Sequence, residues 1–312
     1  MNTIAKIIKI SVIIPHYNIP DLLVRALRSI PKRDDVQVIV VDDGSPNADK
    51  YIVQYPELSA SNVEFYPQEH CGLAGRMRNI GMKYAKGEWI TFLDADDFFS
   101  EEANFIFDEV QQYDEDIVFY NSKAVMSDDL SKESNRNVYS GVFEMETQER
   151  ERLLRYTYHS PIGKFIKLEF IQRNALQFDE TPYANDAYFS IKSGILAKNI
   201  RVCQDVLYVI TERGGSLTTQ TIGTSKRRKE ECQVRYDVAY RSHMLLRENG
   251  IRLSVNYDPL VIALGLFRAK YKKEYYKKLM HMLFVYPACA WHYIKKDFNY
   301  IFLGVRNPSG MK

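Results

Sequence analysis

The chain is 312 residues long, enough to bury a sizeable core and to hold two domains or one domain with a large appendage. Its 42 basic and 40 acidic residues leave a formal net charge of +2, so no whole-molecule field points to nucleic acid. Cys71, Cys203, Cys232 and Cys289 lie far apart without paired spacing, which excludes zinc-ligand and disulfide patterns and fits reduced thiols in a cytosolic protein.

The apolar run up to Pro15 is interrupted by Lys6 and Lys9 and lacks a small-residue cleavage site, so it reads as a first strand over 10–15 rather than a signal peptide. Leu22, Leu23, Ala26, Leu27 and Ile30 recur at helical spacing, and Val36 to Val41 is a β-branched second strand ending in Asp42-Asp43-Gly44-Ser45. A third strand is expected at 63–66, a helix at 75–85 and a fourth strand at 89–93. Beyond Glu101 the pattern predicts a helix, a strand at 117–120, a polar loop over 127–137, helical segments around 148–156 and 167–174, a helix over 187–196 and a strand near 206–210. A polar loop over 213–224 follows, and beyond Ser225 the chain reads as helical and basic. The apolar run from Leu279 to Trp291 contains His281 and Pro287 and falls short of the roughly 20 residues a bilayer span needs.

Strands alternating with helices imply an α/β fold with a mainly parallel sheet flanked by helices, which binds ligands at the carboxyl ends of its strands. Three polar clusters sit at such ends: His16-Tyr17-Asn18, Asp42-Asp43-Gly44-Ser45 and Asp94-Ala95-Asp96-Asp97. The first turn holds Pro15-His16-Tyr17-Asn18-Ile19-Pro20 where a dinucleotide fold needs Gly-x-Gly-x-x-Gly, and no Gly-x-x-x-x-Gly-Lys-Ser/Thr loop occurs, so both of those phosphate cradles are excluded. A divalent cation meets phosphate charge instead, since Mg²⁺ and Mn²⁺ take one or two carboxylates plus waters and substrate phosphates. Asp94 and Asp96 share one face of an extended chain, and Asp96 is expected as the direct ligand, Asp94 as a metal or ribose contact, and Asp97 as support or a helix cap. Asp42 and Asp43, with Gly44 allowing a tight turn, are expected to accept hydrogen bonds from a nucleobase or ribose, the structural alternative being a plain turn. Of Arg76 and Arg78, at the start of a helix, one reaches base or phosphate, or both are solvated.

The ordered set Ser11-Val12-Ile13-Ile14-Pro15-His16-Tyr17-Asn18, Val41-Asp42-Asp43-Gly44-Ser45, Arg78-Asn79-Ile80-Gly81, Ala85-Lys86-Gly87-Glu88-Trp89-Ile90 and Phe92-Leu93-Asp94-Ala95-Asp96-Asp97 closely resembles family-two glycosyltransferases of the GT-A fold. Gly163-Lys164-Phe165, Phe178, Asn185-Asp186 and Gly215-Ser216-Leu217-Thr218 resemble the family's later landmarks more loosely. The resemblance implies a metal-dependent, inverting transfer of a sugar, hexosyl or N-acetylhexosaminyl, from a nucleoside-diphosphate donor to an acceptor hydroxyl. It further implies donor contacts at Pro15, Tyr17, Asn18, Asp42, Asp43, Arg76, Arg78, Asp94 and Ala95, a Mn²⁺ or Mg²⁺ on Asp96 and Asp94, the catalytic base at Asp186, and Asn185 and Lys164 on the acceptor side. Where the family commonly has Glu-Asp, this chain has Asn185-Asp186, which loses a charge and puts acceptor orientation in question. Asp186 has a structural alternative as the cap of the helix over 187–196.

On this reading residues 1–100 form the nucleotide-sugar half of the GT-A domain, 101–224 the acceptor half, and 225–312 a helical basic region. Between Arg268 and Lys296 eight basic residues face Glu274 alone, with Tyr and Phe interleaved, a composition that suits a helix lying on anionic lipid or a bundle with solvated lysines. The expected acceptor is a saccharide or lipid-linked saccharide of a cell-envelope or capsular polysaccharide, and the expected location is the cytoplasm, either free or peripheral on the inner face of the cytoplasmic membrane. Two rivals are a non-catalytic sugar-nucleotide-binding scaffold on the same fold and a nucleotidyltransferase, whose glycine-rich basic loop is missing near the first strand.

Overall fold

The computed structural model describes residues 7–137, 139–213, 225–254, 258–285, 287, 290, 291, 294 and 295. Two compact units divide the chain, Met1–Gly223 and Thr224–Lys312. The first is built on eight strands: β1 (Ile10–His16), β2 (Val36–Asp42), β3 (Val63–Pro67), β4 (Trp89–Phe92), β5 (Phe98–Phe99), β6 (Ile117–Met126), β7 (Lys164–Lys167) and β8 (Ile200–Glu212). Between them run α1 (Pro20–Ser29), α2 (Ala48–Gln54), α3 (Ala74–Tyr84), α4 (Ala103–Val110), α5 (Ser140–Phe143), α6 (Thr147–Tyr156), α7 (Leu168–Arg173) and α8 (Ala187–Leu196). The second unit contains α9 (Ser225–Glu248), α10 (Pro259–Lys270) and α11 (Lys272–Val285).

One sheet in the order β3-β2-β1-β4-β7-β6-β8-β5 carries the first unit, so the two expected halves share a single hydrogen-bonded layer. The β1–β2, β1–β4, β2–β3 and β6–β8 pairs are parallel, while β7 runs antiparallel to β4 and β6, and β5 antiparallel to β8. The period of two along β1 splits its side chains between faces. Ile10, Val12 and Ile14 join Leu23, Ala26 and Leu27 of α1, whereas Ile13 joins Met77 of α3 and Phe92. Covering on both faces explains why β2 is buried at every position and reads as an unbroken apolar run. Pro20 in the first turn of α1, with Asp21 there and Arg28 in the last turn, matches the helix dipole and the missing N–H donors. Every strand end expected to face the ligand lies on the carboxyl rim of β1, β2 or β4.

Candidate active site

The rim is assembled by backbone and buried side chains before any ligand is considered. At the end of β1, Ile19 N donates to His16 Nε2 at 3.2 Å, so the ring proton sits on Nδ1 and is donated to Asp42 Oδ1 at 2.6 Å. Asp42 also accepts from Ser45 N and Ser45 Oγ, and Ser45 Oγ accepts from Asn18 N at 2.7 Å. Asp42 has no exposed surface, and its oxygens are taken by this network. It ties the first two strand ends together and is not offered to a nucleobase, the role expected of it from sequence. Asp43 is used the same way: its carboxylate accepts from Cys71 N at 2.9 Å and Gly72 N at 2.8 Å, fixing the loop after β3. Gly44 has φ +70°, and a Cβ there would lie 2.6 Å from His70 N, so this turn requires glycine. The exposed parts of the cluster are Tyr17 and Asn18, with the Tyr17 ring stacked on His70 at 4.4 Å between centroids. Pro15 is half-buried within β1.

After β4 the three acids diverge. Asp97 is buried and accepts from Tyr208 Oη at 2.9 Å and Thr211 N at 2.6 Å, pinning β8 to the loop. Burial together with Asp96 and Asp94 pushes its carboxyl up to about 8. It supports the loop and caps no helix, since α4 starts only at Ala103. Ala95 is buried. Asp94 and Asp96 keep 34% and 22% of their side chains open. Asp96 pairs with Arg213 at 3.4 Å, while its backbone oxygen accepts from Arg25 and from Thr211 Oγ1. Arg25, a residue with no sequence signal beyond its place on α1, thus fixes the acidic loop from behind and also bonds Ser127.

The two helix arginines separate cleanly. Arg76 is exposed, whereas Arg78 is buried, pairs with Asp94 Oδ1 at 2.7 Å and donates to Asn185 Oδ1 at 3.0 Å. Burial works against its charge, but Asp94 and Asp186 hold the guanidinium above its ordinary pKa. Its neighbour Asn79 clamps the incoming chain through Nδ2 to Phe178 O at 3.0 Å and Phe178 N to Oδ1 at 2.8 Å. The Phe178 ring stacks on Phe189 of α8. Two adjacent residues of α3 therefore carry the segment that ends in Asn185-Asp186 to the rim. Gly75 makes the approach possible, because a Cβ there would lie 2.1 Å from Asp179 O.

Asp186 occupies the residue before α8, yet its side chain makes no capping hydrogen bond. Burial raises its pKa, Asp94 adds to the rise, and Arg78 and Lys164 oppose it. Lys164, expected on the acceptor side, lies instead beneath the surface: it is 1% exposed, donates to Tyr158 O at 3.1 Å and faces the rings of Tyr158 and Phe119 at 4.6 and 5.3 Å. Burial lowers it to about 7 against the pull of Asp186.

A model of glycosyl transferase family 2 matches residues 11–176, more than half the chain. The chain belongs to that family. GlyG, a glycosyltransferase of Streptococcus pneumoniae serotype 4, is 28% identical over 67% of this chain and 72% of its own length. The poly(ribitol-phosphate) beta-N-acetylglucosaminyltransferase TarS of Staphylococcus aureus (strain Mu50) is 29% identical over 66% of this chain and 36% of its own. The chain spans only about a third of TarS and of the pneumococcal glycosyltransferase GlyA, 36% and 31% respectively. In three dimensions the crystal structure of S. aureus TarS 1-349 with UDP-GlcNAc gives a TM-score of 0.63 at 24% identity, covering 85% of this chain and 74% of that one. The mannosyltransferase PcManGT of Pyrobaculum calidifontis, with GDP-Man and Mn²⁺, gives 0.55 at 16%, covering 96% and 82%. The GT-A fold expected from the sequence is the one observed.

Among the described residues no group of three or more His, Cys, Asp or Glu side chains is arranged to hold a metal ion. Two half-open carboxylates at the rim, Asp94 and Asp96, form a donor set that fits a hard cation completing its shell with water and phosphate oxygens, and not one caged by protein alone. No helix among the described residues is long and apolar enough to cross a membrane.

Proposed function

We propose that this chain transfers a sugar from a nucleoside-diphosphate donor, with uridine as the base, to a hydroxyl of a saccharide or lipid-linked saccharide acceptor in cell-envelope or capsular polysaccharide synthesis, with inversion at the anomeric carbon. The observation that carries the reading is the Arg78 junction, where one buried guanidinium joins the Asp-Ala-Asp loop to Asn185, beside a carboxylate that its own helix leaves unused. The transferase activity in the name of TarS and its UDP-GlcNAc complex support the donor class.

In the transfer the acceptor oxygen bonds the anomeric carbon as the bond from that carbon to the diphosphate oxygen breaks. The electron pair leaves on the diphosphate, and the hydroxyl proton passes to Asp186. Burial raises the pKa of Asp186 and so makes it a stronger base than an ordinary carboxylate, while the Arg78 guanidinium opposes the rise. Asn79 and Arg78 hold Asp186 at a fixed offset from Asp94, the kind of positioning on which reaction between two bound groups depends. Asp94 and Asp96 are the residues that would hold Mg²⁺ or Mn²⁺, and such an ion, when bound, neutralises charge gathering on the leaving diphosphate.

Asp186→Asn tests the reading, because the amide preserves shape and cannot take the proton. Turnover should fall by ~10²–10⁴-fold, with donor affinity and thermal melting near wild type. Near-normal transfer would overturn the base assignment. Release of nucleoside diphosphate in step with a new glycosidic bond separates a transferase from both a scaffold and a nucleotidyltransferase.

A further inference from the structure

Helix α11 is amphipathic in an unusual sense. Its inward face is made by Tyr275, Leu279 and Met282, each buried, and it packs in the apolar cluster that holds Tyr236, Leu260 and Leu264 of the second unit. That face satisfies the helix's need for a core. The opposite face should then be polar throughout, and it is so only in part. Tyr276, Met280 and Phe284 follow one another at four-residue intervals and are 48%, 56% and 86% exposed, and Trp291, past the end of the helix, is 65% exposed. Single exposed apolar residues need no explanation, but a contiguous row of large ones does.

Charge on the same row identifies the occupant. Lys273 and Lys277, both exposed, fall on this face, four and three residues from their neighbours along the stripe. Lys295 is exposed as well. The helix's one acid, Glu274, is neutralised by Lys229 of α9. Lys278 is turned inward, its ammonium 3.6 Å from the Tyr236 ring centre. Glu274 also feels Lys273, so one acid is shared among several lysines, and the outward stripe combines three large apolar side chains with net positive charge. Aqueous solvent suits the lysines alone, and a dry protein interface suits the apolar residues but would bury ammonium groups beside them. An anionic lipid surface accommodates both: the rings and thioether enter the acyl boundary while the lysine stems lie along it with their charges among the headgroups.

We propose that the outward face of α11, formed by Lys273, Tyr276, Lys277, Met280 and Phe284, seats on an anionic lipid bilayer. This surface belongs to the second unit, and it holds whether or not the chain transfers a sugar.

The full chain is mixed with vesicles of phosphatidylcholine alone or with about one-third phosphatidylglycerol and sedimented over a range of salt. Wild type should pellet with the anionic vesicles and be released by salt. Phe284→Ser with Met280→Ser should weaken binding by about tenfold or more at every salt concentration, through loss of apolar insertion. Lys273→Gln with Lys277→Gln should weaken binding to anionic vesicles by roughly fivefold per lysine and remove most of the salt dependence. The substituted side chains make no core contact, so thermal melting of each variant should match wild type, and a lysine variant that melts normally carries the test if the apolar one does not. No pelleting by wild type, or equal pelleting by all three proteins, would overturn the proposal. So would sedimentation of wild type as a dimer that the Phe284→Ser, Met280→Ser protein reduces to a monomer without any vesicle binding, because the stripe would then join two copies of the chain.

Discussion

Lys164→Met makes a prediction whose size comes from the buried site itself. The ammonium is 1% exposed, has one hydrogen bond, to a backbone carbonyl, and otherwise faces two aromatic rings. Burial lowers its pKa from 10.5 to about 7. Between those values the unfolded chain carries one more proton than the folded one, so wild-type stability must rise with pH across the window. Each pH unit there is worth about 1.4 kcal/mol, and the whole window up to about 5 kcal/mol, of which relaxation and water entry leave about half. Methionine has a similar length and no charge, so Lys164→Met should be more stable than wild type by about 2–3 kcal/mol near pH 7, and the difference should shrink toward zero near pH 10. Urea unfolding of both proteins across that range reads the difference directly. Parallel stability curves would refute the reasoning and mean that the lysine finds compensation the aromatic cage does not provide. The same substitution removes a group that opposes the raised pKa of Asp186, so the acid limb of the transfer profile should move to higher pH.

Arg78→Met leaves Asp94 and Asn185 without their shared donor, and because Asp94 is a third exposed and rehydrates, the loss should be about 2–3 kcal/mol in urea unfolding. Arg76→Ala, at an exposed position one turn-start away, should stay within ~0.5 kcal/mol. Gly75→Ala forces Asp179 O to retreat by about 1.3 Å to reach ordinary contact near 3.4 Å. Displacement on that scale should cut transfer by about 10²-fold, with a stability loss of ~1–3 kcal/mol, as read by turnover and denaturant melts. If the proposed cation sits on Asp94 and Asp96, donor titration should show tighter binding with Mn²⁺ than without it, and Asp96→Ala should abolish that difference, because the cation loses a protein ligand while the diphosphate keeps its charge.

The central strands and the helix over 187–196 were legible because their signals are local: β-branched runs buried on both faces, and apolar spacing that ends where the structure ends it. The elements that escaped are those whose existence depends on distant partners. β7 is four residues long and is held between β4 and β6 by antiparallel bonds no local pattern announces. β5 is two residues fixed by β8. β6 runs on through Asn121, Ser122 and Lys123, polar residues that look like a loop until β8 supplies the ladder. Helix α2 and the short 3₁₀ turn Pro56–Ser59 hide in a polar stretch broken by proline. The expected loop over 213–224 lies, except for Arg213, outside the described residues, and so does the Gly215-Ser216-Leu217-Thr218 landmark.

The rim acids show why residue type and position on a motif were enough to find the site and not enough to assign roles within it. Asp42, Asp43, Asp94, Asp96, Asp97 and Asp186 all lie on the same edge of the same unit, and the roles expected of them from sequence rest on residue type, spacing and resemblance, none of which shows how much of each carboxylate is left open. Burial and hydrogen bonding do. Asp42, Asp43 and Asp97 are buried, and their carboxylates accept from His16 and Ser45, from Cys71 and Gly72, and from Tyr208 and Thr211 respectively. These three hold the strand ends and loops in place. Asp94 retains open surface beside Arg78 and Asp96 beside Arg213, and Asp186 lies near Arg78 without capping its own helix. Chemistry needs a carboxylate with open surface, for a cation or for a proton, and of these six acids Asp94 and Asp96 keep it, Asp94 at the point where Arg78 joins the candidate donor and acceptor sides. The loss of charge at Asn185 fits the same logic. A glutamate there would place another anion beside Asp94 and Asp186 around one guanidinium, whereas the amide accepts from Arg78 at 3.0 Å and leaves the positive charge to the two carboxylates that need it.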